Sequence, residues 1–177
     1  MAKRIAFTAI LMALSVVTLF GASVLPTAKI AILAITSVFG AIVVAEYGAK
    51  YGAVHYIGVS ILAFLLIPKK MMVIIYFIFL GYYPIVKMYI ERINKRGAEW
   101  LIKLLIFNLF LVLAYFIFNA FFLPAMESVT VLIAVKYLPA LIVVSEAIFV
   151  IYDYMLSYII AYYYKVVRIK MNGGKFQ

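Results

Sequence analysis

The sequence predicts an all-α integral membrane protein, a single-domain bundle of six transmembrane helices with both termini on the cytoplasmic side. Three observations predict it. Of 177 residues, 69% are hydrophobic and 12% charged, against roughly 45–50% and 25% in an ordinary globular chain, so there is more apolar surface than a core of this size can hide. Six apolar stretches each approach the ~20 residues that cross a ~30 Å hydrocarbon core as helix. Lys and Arg then fall unevenly on alternate sides of those stretches, which sets the orientation.

The spans are expected over residues 5–25, 28–45, 48–67, 71–90, 98–123 and 138–164. Lys3 and Arg4 precede the first and Gly21-Ala22-Ser23 follow it, which superficially resembles a cleavable signal. Its apolar run exceeds the ~7–15 residues of a signal core and a second span begins almost at once, so it reads as a retained helix. Ala2, Ala6, Ala9 and Ala13 form a small-residue stripe along it. Such a stripe lets another helix approach closely, whether a helix of the same chain or one of a partner. Ala41 with Ala45, Gly48 with Gly52 and Ala49 with Ala53 add small pairs where the second and third spans meet.

Prolines mark the breaks. Pro26, Pro68, Pro124 and Pro139 fall at expected external ends, where a missing backbone donor costs little, and Pro84 alone lies inside a span. Preceded by Gly81, it predicts a kink in the fourth helix. The longest connection, residues 124–137, is itself fairly apolar and is expected to be a loop or a short helix across the mouth of the bundle. With the N-terminus inside, twelve basic residues lie on the cytoplasmic side (Lys3, Arg4, Lys50, Lys87, Arg92, Lys95, Arg96, Lys103, Lys165, Arg168, Lys170 and Lys175) and four outside (Lys29, Lys69, Lys70 and Lys136). The formal charge of +10 is therefore a topology signal in a chain facing the lipid bilayer, and nucleic acid is not an expected partner. Tyr158, Tyr162, Tyr163 and Tyr164 precede Lys165 as an interfacial belt would.

An ionisable group inside a bilayer costs about 2.5–3.5 kcal/mol on insertion scales, so each implies a partner or a role. Glu146 and Asp153, seven residues apart, share a face of the sixth helix about 10 Å apart, with Ser157 a turn further on. Asp153 and Lys87 lie at matched depth, ~22–26 Å from the external ends at 1.5 Å per residue, which predicts a buried structural pair, with Lys87 snorkelling to the interface as the alternative. Glu146, about 12 Å below the external surface, has no obvious cation at its depth other than Lys136 or Lys29 reaching in from the mouth. It is the first candidate for ligand contact, with Asn119, Ser145 and Glu127 beside it; the competing reading has a tyrosine or Asn119 capping the carboxylate. Asn108 is expected to make an interhelical hydrogen bond, and so is Ser145 in preference to ligand contact. His55 is expected to bond a neighbouring hydroxyl rather than relay protons, and Glu46 to be an interfacial charge near Lys50.

Catalysis finds no footing. There is no cysteine, a single aspartate and a single histidine. An aspartyl protease needs two aspartates, and a serine protease needs a glycine-flanked serine facing its histidine, whereas Ser60 stands between Val59 and Ile61 with His55 facing elsewhere. A metal hydrolase wants clustered ligands. Neither a metal site nor any cofactor is expected.

Six spans, short connections and Ala9-Ile10-Leu11-Met12-Ala13 in the first helix together resemble the substrate-binding S component of energy-coupling-factor (ECF) transporters. The resemblance covers the whole chain in topology and only the Ala-x-x-x-Ala motif in sequence. It implies a cell-membrane protein that holds a vitamin-like small molecule in an external cavity, docks through Ala6, Ala9 and Ala13 on a transmembrane coupling subunit, and leaves ATP hydrolysis to separate ATPase subunits. It is not matched to a nickel or cobalt member, since the N-terminal histidine of that chemistry is absent. Two other classes stand beside it: a non-catalytic scaffold subunit of an envelope-building machine, similar to the cell-shape protein MreD, and a small channel or secondary carrier.

Overall fold

The computed structural model describes residues 2–25, 27–121 and 128–168, with side chains described outside 117–138 and up to residue 166. Among them every regular element is helical: α1 (Ala2–Val24), α2 (Lys29–Tyr47), α3 (Ala49–Leu66), α4 (Lys70–Ile75), a π-helical turn (Tyr76–Leu80), α5 (Tyr83–Glu91), α6 (Arg96–Phe121), α7 (Ser128–Tyr162) and a terminal π-helical stretch (Tyr163–Arg168). Six helices are long and apolar enough to cross a membrane, over Ala2–Val24, Lys29–Tyr47, Ala49–Leu66, Lys70–Glu91, Arg96–Phe116 and Pro139–Val166. The chain divides into two units, residues 1–94 with 155–177 and residues 95–154.

In the first unit α1 packs on α2 and α3, and α2 also touches α5. Leu19, Leu33, Val59, Ala63, Ile67 and Tyr76 are fully or almost fully buried and form its centre. The turn from α2 to α3 uses Gly48 at φ +84°, a left-handed region open to glycine without steric cost, and its N–H donates to the Val44 carbonyl at 2.8 Å. The fourth span breaks where Pro84 foretold it, by a particular route. After α4 the backbone widens into the π turn, passes through Gly81 and Tyr82, and restarts as α5 with Pro84 in the first helical turn. There the missing N–H would have had no intrahelical partner anyway.

The second unit is α6 with α7 up to Tyr154. The segment 128–137, expected as a loop or a separate helix across the mouth, is instead continuous with α7, a 35-residue helix. At 1.5 Å per residue it is about 50 Å long, more than a bilayer core. Pro139, expected at a helix end, lies inside it. One proline removes a single intrahelical bond, and good helix formers on both sides carry the helix through it. Outward faces are apolar throughout: Leu101, Leu105 and Leu109 of α6 and Val143, Ile151 and Tyr154 of α7 are all more than half exposed, the surface expected when lipid is the solvent.

Candidate functional site

Polar chemistry inside the spans falls into three groups of described residues. In the second unit, α6 and α7 are joined by a ladder. Lys103 Nζ donates to Asp153 Oδ2 at 2.9 Å, with both residues under 5% exposed. The Phe107 and Phe149 rings stack with centroids 4.3 Å apart, and Asn108 Nδ2 donates to Glu146 Oε1 at 3.1 Å. Lys103 Nζ also lies 5.4 Å from the Trp100 ring, which in turn packs on Tyr154. Two polar rungs are thus separated by an aromatic one, and the constant register fixes the antiparallel pairing of the helices.

In the first unit, Ser15 Oγ and His55 Nε2 share a hydrogen bond of 3.1 Å, with Ser15 Oγ also 3.5 Å from the Thr36 carbonyl. All three side chains are fully buried where α1, α2 and α3 meet. Gly40 sits directly over the imidazole: a Cβ there would lie 3.4 Å from Nδ1. This is the hydroxyl-bonded histidine expected from the sequence. Nearer the helix ends, Lys87 Nζ lies 2.7 Å from Glu91 Oε1 one turn along α5, Tyr163 donates to Glu46 Oε2 at 3.4 Å, and Tyr164 donates to the Ala45 carbonyl.

The expected ligand group is distributed as follows. Glu146 is half-buried and bonded to Asn108, so the amide that meets it belongs to the residue expected to bridge helices. Ser145 bonds back to the Ile142 carbonyl of its own helix at 2.7 Å. The Asn119 side chain and Glu127 lie outside the described residues. Of the expected buried pair, Lys87 belongs to the first unit and Asp153 to the second, and each has an ion partner within its own unit. Lys103 is the residue that sequence reasoning missed. It counts there among the twelve cytoplasmic basic residues, yet it is buried and paired; its position two turns into α6, antiparallel to Asp153, was the available signal.

Ala2, Ala6, Ala9 and Ala13 are all exposed, while Thr8, Leu11, Ser15 and Leu19 on the opposite face of α1 are buried. Among the described residues, no group of three or more His, Cys, Asp or Glu side chains is placed to hold a metal ion. One groove stands out, an open trough of about 420 Å³ between α3 and the α4 end of the fourth span, lined almost wholly by apolar side chains. No family model, curated protein or solved structure matches this chain.

Proposed function

We propose that the protein is a non-catalytic cell-membrane subunit that docks on a partner membrane protein through the alanine face of α1, as the substrate-binding component of a small-molecule uptake transporter whose ATP hydrolysis is performed by separate subunits. The observation that supports this reading is the exposure of the whole Ala2, Ala6, Ala9 and Ala13 stripe while the opposite face of α1 packs into the first unit. Packing within that unit uses the other side of the helix, and a small-residue face open to the bilayer suits close approach by a second protein's helix. The lack of any nucleotide-binding loop in the sequence fits a division of labour with an ATPase.

A second reading, the scaffold subunit, draws support from a different observation. A small-molecule site is ordinarily a concave pocket with a few convergent polar groups, whereas the described groove is open and apolar and the buried Lys103, Asp153, Ser15 and His55 Nε2 are engaged with one another in pairs. Purification of the tagged protein from its own host, with mass spectrometry of what accompanies it, separates the two. A retained small molecule together with a membrane subunit and an ATPase supports the transporter. A membrane partner with neither supports the scaffold, and recovery of the chain without any partner rejects both.

A further inference from the structure

The groove between α3 and α4 has apolar walls and a basic end. Its walls are Ile61, Phe64 and Leu65 on one side and Val73, Ile74 and Phe77 on the other. Ser60, the polar side chain among them, donates to the Tyr56 carbonyl at 2.7 Å, so the trough offers little to a polar ligand. Its inner end is held by Tyr56, which stacks on Phe77 (centroids 5.6 Å apart) and donates to the Phe77 carbonyl at 3.0 Å. At the other end two consecutive exposed lysines close the α3–α4 turn. Lys70 donates to the Phe64 carbonyl and lies 4.9 Å from the Phe64 ring, while Lys69 has no ion pair among the described residues. No acidic residue occurs between positions 47 and 90, so α3 and α4 themselves carry nothing to offset this positive charge. From Lys70 to Phe77 the trough runs about 10 Å along the helix axis.

We propose that this groove is a binding site for an anionic phospholipid, one acyl chain lying in the trough and the headgroup phosphate held by Lys69 and Lys70. Charge and apolar surface coincide here as they do in such a lipid, and the groove's volume lies in the usual range for small-ligand sites. The proposal rests on the chain's membrane character and holds equally for a transporter or a scaffold subunit.

The test places the full chain in nanodiscs of equal phosphatidylglycerol and phosphatidylcholine with identical acyl chains, then identifies by native mass spectrometry the lipid retained after detergent release. Phosphatidylglycerol should be retained over phosphatidylcholine, with K69Q lowering that preference about fivefold, the effect of one basic residue near a charged headgroup. Among the described residues Lys69 makes no ion pair, and it is exposed, so the variant keeps its fold, which an unchanged melting temperature verifies. I61W, which enlarges an exposed wall residue into the trough, should abolish retention, while Lys50→Gln, in the α2–α3 turn region, should leave it intact. Equal retention of the two lipids, or a phosphatidylglycerol adduct indifferent to both K69Q and I61W, overturns the proposal. So does displacement of the adduct by soluble glycerol phosphate alone, which would mark an anion site without a chain-binding trough.

Discussion

Lys103 and Asp153 form a buried ion pair, Nζ to Oδ2 at 2.9 Å, that ties α6 to α7. Neither charge reaches solvent, and Trp100 covers the ammonium group from one side. Removing one partner of a buried pair leaves an uncompensated charge, at a cost of commonly about 3–5 kcal/mol in soluble proteins, whereas replacing both by apolar groups can be neutral. Lys103→Met and Asp153→Asn should therefore each lower the melting temperature in detergent, and the double variant should recover part of the loss. Strictly additive losses would show that the two side chains do not depend on each other.

The alanine face of α1 gives a prediction that separates folding from assembly. Because Ala9 and Ala13 are exposed, replacing both by Leu should change stability by no more than about 0.5 kcal/mol, as surface substitutions do. The same change removes the close-approach surface, so co-purification of a membrane partner should be lost. A large drop in melting temperature with partners still recovered would instead assign these alanines to packing within the chain.

Two glycines, each with a side chain close over it, should respond differently to alanine. A Cβ at Gly81 would lie 2.6 Å from Tyr56 Cδ2 and 2.8 Å from Tyr76 Cε1, and Tyr76 is fully buried. Neither ring can move without disturbing the π turn, so Gly81→Ala should cost about 1–3 kcal/mol. At Gly58 the clash is with the end of the Met12 side chain, whose three flexible torsions let it swing away. Thermal melts of the two variants side by side check the contrast, and equal losses would contradict it.

Orientation is open to a direct measurement, since the chain has no native cysteine to remove. The side richer in Lys and Arg is the one expected to face the cytoplasm, so a cysteine replacing Lys95 should be labelled only from the cytoplasm and one replacing Lys69 only from outside. Both positions lie in short connections, between α5 and α6 and between α3 and α4. Labelling of both from the same side would break the six-span topology.

The number, order and approximate limits of the six apolar helices were legible in the sequence, because a bilayer imposes one length and one composition on every span and both are local properties. The break at Gly81-Tyr82-Tyr83-Pro84 was legible for the same reason: proline's missing donor acts on its own helix. The continuation of α7 back to Ser128 was not, since a proline marks either a helix end or a tolerated interior position according to what surrounds it. Partners were decided only by tertiary structure. Lys103, Asp153, Asn108 and Glu146 stood in the sequence as separate polar residues at uncertain depths, and a shift of a single turn, about 5.4 Å, exchanges one partner for another. The register of α6 against α7, set by side chains such as Phe107 and Phe149 that stack between the polar rungs, joined Lys103 to Asp153 and Asn108 to Glu146. Which face of α1 is buried followed likewise from the packing of Leu11, Ser15 and Leu19 against α2 and α3, and that packing left the alanines outside.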